Sequence, residues 1–175
     1  MIRSVLVLLL ATSAAGFSTR RALLRNACAA ASVVVAAPAA SYAIDACPPK
    51  SKNCLSTTWT APAGTKNVAG DVLEILKSYP QEGQNKVDLG GYSIVSSDAK
   101  GARIEYQSGI GNFAKFLNGG KPFVDDLTVE VSGDSVAFKS ASRIGESDLG
   151  VNQKRMQFLA QQARAKGWTA PDPVY

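Results

Sequence analysis

The residues best suited to chemistry lie in the last third of the chain and carry charged or polar side chains. The candidate site comprises Asp125, Asp126, Arg143, Ser147, Asp148, Asn152 and Arg155. Arg143 and Asp148 are separated by a short segment that contains Gly145, so an ion pair between them is geometrically easy. Close to a helix start, a guanidinium can either pair with a carboxylate and lock a turn or join free N–H groups in binding an anion.

Two interpretations of this cluster differ in what the charges face. In the first, Arg143, Asp125 and Asp126 form an ion-pair and capping network that fixes the last hairpin to the next helix, and the nearby glycines supply unusual backbone conformations. In the second, free N–H groups at the helix start, together with Arg143 and Arg155, bind a small anion such as a phosphate or carboxylate. We favour the structural interpretation.

Catalysis would require a nucleophile and a base with a tuned pKa. The chain has no histidine, which is the commonest general base. Asp125 and Asp126 are adjacent, so in a strand their side chains point to opposite faces and cannot act as a pair. The glycine-rich segment 109–112 lacks the lysine of a phosphate loop and is predicted to be a turn. The sequence therefore favours a non-catalytic protein without a cofactor.

Cys47 and Cys54 are the two cysteines expected in the mature domain, because Cys28 lies in the predicted presequence. In an oxidising compartment the short loop between them can close as a disulfide, with two free thiols as the alternative. A zinc site would have to be completed by carboxylates, since there is no histidine and no second cysteine pair. We predict no metal.

The elements that position these residues follow from hydrophobic periodicity. One helix is predicted from Val68 to Ser78, capped by Asn67, and another from about Val151 to Lys166, with Ser147 and Asp148 where capping residues belong.

Alternating apolar residues predict two hairpins, with strands near 92–95 and 102–107 and near 124–131 and 136–140. The sequence therefore predicts an α+β fold, an antiparallel sheet of four to five strands with two helices packed on one face.

Residues 44–66 are rich in Pro, Ser and Thr and are predicted to form an extended arm anchored by Trp59. Residues 67–175 would form the single α+β domain. Extended segments such as this arm and the tail at 171–175 are suited to lying on a partner.

The first 43 residues are typical of targeting segments. Residues 1–16 have the pattern of a signal peptide, with an arginine, an apolar run and a small-residue end. Residues 17–43 begin as a basic, hydroxylated transit segment and continue as an alanine-rich apolar run that ends in Ser41-Tyr42-Ala43. The order resembles the bipartite plastid presequences of algae with secondary plastids, followed by a thylakoid-transfer signal of the twin-arginine or Sec type.

We expect cleavage after Ala43 and a mature protein in the thylakoid lumen, without a membrane span. The plastid stroma is the alternative, as is a membrane tether formed by residues 27–40.

Charge argues against a nucleic-acid partner. The chain carries 19 Lys and Arg against 14 Asp and Glu, but four arginines and no acid precede Ile44, which leaves 15 minus 14, or +1, for the remainder. A nucleic-acid-binding domain is expected to carry a basic stripe, and here the basic and acidic residues alternate.

Three ordered motifs carry a resemblance to a known family. They are Asn53-Cys54-Leu55-Ser56, Phe123-Val124-Asp125-Asp126, and the pattern Ser-x-Ser-Arg-x-Gly-x-Ser-Asp-Leu-Gly-x-Asn-x-x-Arg that ends at Arg155. The chain thus resembles the domain of unknown function 1499 (DUF1499) family, which occurs in bacteria and in plastid-bearing eukaryotes. The resemblance implies one domain over nearly all of the mature chain and implies no particular reaction. Cys47 is not part of the family pattern.

These observations favour a small non-catalytic protein that acts by binding, as an auxiliary or assembly factor of a photosynthetic membrane complex. One alternative is a carrier of a small anionic or lipidic ligand. Another is a hydrolase or isomerase that uses Arg143, Asp148 and Asp126.

Overall fold

The computed structural model describes residues 41–108, residue 116 and residues 118–175. These residues form β1 (Cys54–Thr60), α1 (Val68–Lys77), β2 (Tyr92–Asp98), β3 (Gly101–Ser108), β4 (Phe123–Ser132), β5 (Ser135–Ser142) and α2 (Val151–Ala165). The strands make one antiparallel sheet in the order β1-β5-β4-β3-β2. The predicted α+β fold is therefore confirmed. The predicted presequence up to residue 40, segment 109–112, Phe113 and Leu117 lie outside the described residues.

Helix α1 begins and ends close to where its sequence pattern predicts. The Asn67 side chain accepts a hydrogen bond from the Gly70 backbone N–H at 3.0 Å, which satisfies one of the free donors at the helix start. Val72, Ile75 and Leu76 are buried, so the apolar stripe faces the sheet.

Both predicted hairpins are present. The first turn, at 98–101, is closed by the Lys100 backbone N–H, which donates to Asp98 Oδ1 at 2.7 Å. The second turn contains Gly133, whose φ of 63° lies in the left-handed region that glycine adopts without strain. Ile104 and Tyr106, which strand alternation places on the same face of β3, are both buried.

The segment predicted to be an arm contains an edge strand, so the prediction is wrong for these residues. β1 pairs with β5 along its whole length, and its inward-facing Leu55 and Trp59 are buried. The Trp59 ring lies 4.1 Å from the Phe138 ring, measured between centroids. In the sequence of this strand, serine and threonine residues obscure the alternation of apolar and polar residues, although threonine favours strands.

The core lies between one face of the sheet and the two helices. Alternate residues of β1, β3, β4 and β5 join the buried faces of α1 and α2 in a single hydrophobic cluster. Met156, Leu159 and Ala163 lie at helical spacing on α2, and all three are buried. The other face of the sheet carries charged and hydroxyl side chains. None of the helices in the described part of the chain is long and apolar enough to cross a membrane.

A disulfide ties the residues before β1 to its first position. Cys47 and Cys54 are bonded, with their Cα atoms 5.6 Å apart and seven positions apart in the sequence. The loop that the bond closes is short, and closing a loop of this size removes conformational freedom from the unfolded chain.

Reduction of this bond, or the substitution Cys47→Ser, is expected to lower the free energy of unfolding by about 2 kcal/mol, because the open chain gains entropy on unfolding. Urea denaturation followed by tryptophan fluorescence, with and without a reductant, measures the change. The reductant should have no further effect on the Cys47→Ser variant. Equal stability of the oxidised and reduced proteins would contradict the expectation.

Candidate functional site

The structure divides the seven predicted site residues among three places. A buried cluster contains Asp125, Asn152 and Arg155, and an ion pair on the outer face of the sheet contains Asp126 and Arg143. The turn between β5 and α2 contains Ser147 and Asp148.

Arg155 is the centre of the buried cluster and is completely inaccessible to solvent. Its Nε and Nη2 groups donate to the two carboxylate oxygens of Asp88 at 2.6 and 2.5 Å. Nη2 also donates to Asp125 Oδ2 at 2.6 Å. The contact with Asp88 is therefore bidentate, which is the strongest geometry that an arginine and a carboxylate can form.

The remaining donors of Arg155 are also used. Nη1 donates to Asn152 Oδ1 at 2.7 Å and to Ser140 Oγ at 3.1 Å. With the bonds to the two aspartates, these contacts match the five N–H groups of a guanidinium. The face of the guanidinium lies 4.2 Å from the centre of the Tyr106 ring, so a cation–π contact completes its surroundings.

Hydroxyl groups satisfy the two carboxylates of the cluster. The Tyr79 hydroxyl donates to Asp88 at 2.8 Å. Ser142 and Ser108 donate to Asp125 at 2.5 and 3.4 Å. Two carboxyl groups thus share one guanidinium, and three hydroxyl donors complete their coordination.

The pKa shifts in the cluster have clear physical causes. Burial acts to lower the pKa of Arg155, but the hydrogen bonds and charge of Asp88 outweigh it and raise the pKa overall. Burial, reinforced by the charge of Asp88, raises the pKa of Tyr79. Burial likewise raises the pKa of Tyr106. Near neutral pH the cluster therefore holds a charged arginine and neutral tyrosines.

Asp88 lies between α1 and β2 and was not among the residues singled out in the sequence. Its loop is bent unusually: Asn85, Lys86 and Asp88 have φ values of 48°, 65° and 54°. A residue other than glycine in this region costs on the order of 1 kcal/mol. The bonds to Arg155 and Tyr79 hold Asp88 in this conformation, and no local sequence signal predicts them.

Arg143 lies on the outer face of the sheet. Its Nε and Nη2 groups donate to Asp126 at 2.8 Å each, and Nη2 also donates to Glu105. Hydrogen bonds to Asp126 and then to Glu105 raise the pKa of Arg143. Its side chain is 45 % exposed, so solvent screens these pairs. Asp125 and Asp126 point to opposite faces of β4, as strand alternation predicts.

The predicted ion pair between Arg143 and Asp148 is wrong. Asp148 instead accepts hydrogen bonds from the backbone N–H groups of Gly150 and Asn152 at 2.8 Å each and from the Tyr175 hydroxyl at 2.6 Å. Positive φ values at Gly145, Leu149 and Gly150 turn the chain between the two charges. Asp148 therefore faces the helix start, whereas Arg143 faces the sheet.

This arrangement does not assemble the anion pocket of the second, less favoured interpretation. Two N–H groups at the start of α2 already donate to Asp148. Arg155 is enclosed by the buried cluster, and Arg143 is paired on the outer face. Ser147 accepts a hydrogen bond from the Leu149 N–H at 3.3 Å, so it stabilises the turn.

Leu149 is the most exposed large apolar residue of the described chain, with 87 % of its surface accessible. Its φ of 56° places it in the left-handed region, which is unfavourable for leucine. The bond from Tyr175 to Asp148 holds the chain end against the same turn. Leu149, Val174 and Tyr175, all exposed, are called the Leu149 surface below.

The buried cluster differs from the outer ion pair and the turn in its access to solvent. The ion-paired and amide members of the buried cluster, Asp88, Asp125, Asn152 and Arg155, are at most 1 % exposed, so a dissolved substrate does not reach them. Within the described residues no three His, Cys, Asp or Glu side chains converge on a point that could hold a metal ion.

A comparison with protein families identifies one match. The model of the family described as protein of unknown function (DUF1499) matches residues 43–162, more than two thirds of the chain. No curated protein matches the chain.

The substitution Arg155→Met is expected to lower the free energy of unfolding by about 3–5 kcal/mol, because Asp88 and Asp125 would remain buried without their partner. The matched control is Arg143→Met, which breaks an exposed pair and should cost less than about 1 kcal/mol. Chemical denaturation near neutral pH measures both. Similar losses in the two variants would contradict the distinction between the buried and outer ion pairs.

Stability should also fall at alkaline pH. The pKa of Tyr79 is higher in the folded state than the value of about 10 for an unfolded tyrosine. Its stabilising contribution is thus complete below about pH 10 and is lost as the pH rises further, by up to about 1.4 kcal/mol per pH unit. Urea denaturation at increasing pH tests this. Tyr79→Phe should weaken the dependence, and an unchanged slope in that variant would contradict the assignment.

Proposed function

We propose that this chain, which belongs to the DUF1499 family, is a non-catalytic binding protein of the thylakoid lumen of a plastid. In this proposal it serves as an auxiliary or assembly factor of a photosynthetic membrane complex. The observation that carries the binding role is the exposed, conformationally unfavourable Leu149.

The proposed compartment is inferred from the order of the N-terminal targeting segments. A signal peptide at 1–16 would be followed by transit and transfer signals at 17–43. The disulfide between Cys47 and Cys54 supports an oxidising compartment, because thiols in reducing compartments are kept reduced.

Binding is favoured over catalysis because the charged residues are occupied with one another. The alternative hydrolase would need Arg143, Asp126 and Asp148 around one substrate. Arg143 and Asp126 pair on the outer face, whereas Asp148 caps α2. A carrier of small anions would need open donors at the helix start, and two of these donate to Asp148.

The Leu149 surface is the proposed contact with the partner. A leucine in the left-handed region lowers the stability of the fold by on the order of 1 kcal/mol. Because the side chain is exposed, the isolated domain gains no hydrophobic stabilisation from it. Covering that side chain would stabilise a complex by roughly 1.5–3 kcal/mol. We therefore expect the partner to present an apolar groove to Leu149, contributed by a lumenal segment of a membrane protein.

The substitution Leu149→Gly separates binding from folding. Glycine adopts a positive φ without strain, so the variant should be as stable as the wild type or more stable. Loss of the leucine side chain should weaken the complex about 10- to 100-fold. The matched control is Val95→Thr, which alters an exposed apolar residue of the strand at the far edge of the sheet.

The measurement is co-migration with thylakoid complexes after solubilisation in mild detergent, scored for the wild type and both variants. Wild type and Val95→Thr should co-migrate, and Leu149→Gly should appear in the low-mass soluble fraction. Wild-type protein found only in that fraction would contradict the docking role. Co-migration of Leu149→Gly would contradict the proposed surface.

A further inference from the structure

We infer that the mature protein retains Tyr42, which anchors residues 41–47 across the outer face of the sheet, and that the presequence is cleaved before this residue. Residues 41–47 are called the strap below. The inference rests on the proposed function only in requiring that a presequence is removed. It replaces the cleavage after Ala43 that the sequence pattern predicts.

The burial of Tyr42 is the first observation. Only 4 % of its surface is accessible, although both neighbours, Ser41 and Ala43, are exposed. A terminal residue that is to be discarded has no reason to occupy a place in the folded domain. The aromatic ring of Tyr42 is thus part of the packing of the domain.

The position of Tyr42 is defined by Gly101, the first residue of β3. A Cβ atom at Gly101 would lie 2.9 Å from Tyr42 Cγ and 2.0 Å from the carbonyl oxygen of Val129. Because Ala102 and Ile104 face the core, alternation directs position 101 to the outer face. The glycine leaves room there for the tyrosine ring as well as for the neighbouring strand.

The strap is held at its other end by the disulfide from Cys47 to Cys54. Between the two fixed points, Ala43 and Asp45 line one side of a cleft of about 270 Å³ whose other side includes Arg103 and Lys139 of the sheet. Cleavage after Ala43 would remove the anchor at one end and leave the strap held by the disulfide alone.

The sequence offers a cleavage site that spares the anchor. Ala37-Pro38-Ala39 has small residues at the positions that a signal peptidase requires. Hydrolysis of the peptide bond between Ala39 and Ala40 would add the hydroxyl of water to the Ala39 carbonyl and its proton to the Ala40 nitrogen. The mature chain would then begin at Ala40, two residues before Tyr42.

Intact-mass and N-terminal peptide analysis of the native protein tests the cleavage. A start at Ala40, or at any residue up to Tyr42, supports the inference. A start at Ile44 overturns it and leaves the proposed compartment intact. A start near Phe17 would contradict the proposed compartment while supporting retention of Tyr42, so the two proposals fail separately.

The anchor itself is tested by expressing the full precursor with Tyr42→Ala or Tyr42→Phe in the native cells and purifying the mature proteins. Mass analysis first establishes that all variants begin at the same residue. Tyr42→Ala should lower the thermal midpoint by about 5 °C, and Tyr42→Phe, which keeps the ring, should stay within about 1 °C of the wild type. Equal midpoints for all three proteins would overturn the anchoring role.

Discussion

A guanidinium group withdrawn from water must find a partner for each of its five N–H groups, and this requirement at Arg155 organises the domain. Asp88 comes from the loop before β2, Asp125 from β4, Ser140 from β5 and Asn152 from the first turn of α2 itself. Four parts of the chain therefore meet at one charge. Because desolvating an ion pair is costly, the net contribution of the cluster to stability is small. Its larger effect is to fix which segments of the chain meet.

Most residues of the motif that ends at Arg155 thus have a structural role within the domain. Ser140, Ser142 and Asn152 of this motif face the buried cluster, and Asp148 caps the helix that carries Arg155. Arg143, directly after β5, points the other way and binds acids of β4 and β3 on the outer face. Leu149 alone is both apolar and almost fully exposed in this turn, and it is therefore the residue of the motif most available to a partner.

Local patterns predicted the elements well because their causes are local. Asn67 caps α1, glycine closes the second hairpin, and alternation separates Asp125 from Asp126. Of the charge pairings, the sequence predicted that Arg143 pairs with Asp126. It did not predict the partners of Arg155 or the contact of Arg143 with Glu105, because these depend on how distant segments meet. Asp88 lies 67 positions from Arg155, and the acids that bind Arg143 come from β3 and β4. Strand β1 was missed because its inward pattern rests on Leu55 and Trp59 alone among hydroxyl residues.

The most direct test of the central claim is hydrogen exchange at the arginine side chains, followed by NMR through their Nε–H groups. If Arg155 is a charged group enclosed by the fold, its Nε–H should exchange with deuterium as slowly as the most protected core amides. The Nε–H of Arg143, which is partly exposed, should exchange rapidly. Exchange of the Arg155 proton at the same rate as that of Arg143 would contradict the claim that this charge is enclosed and organises the domain.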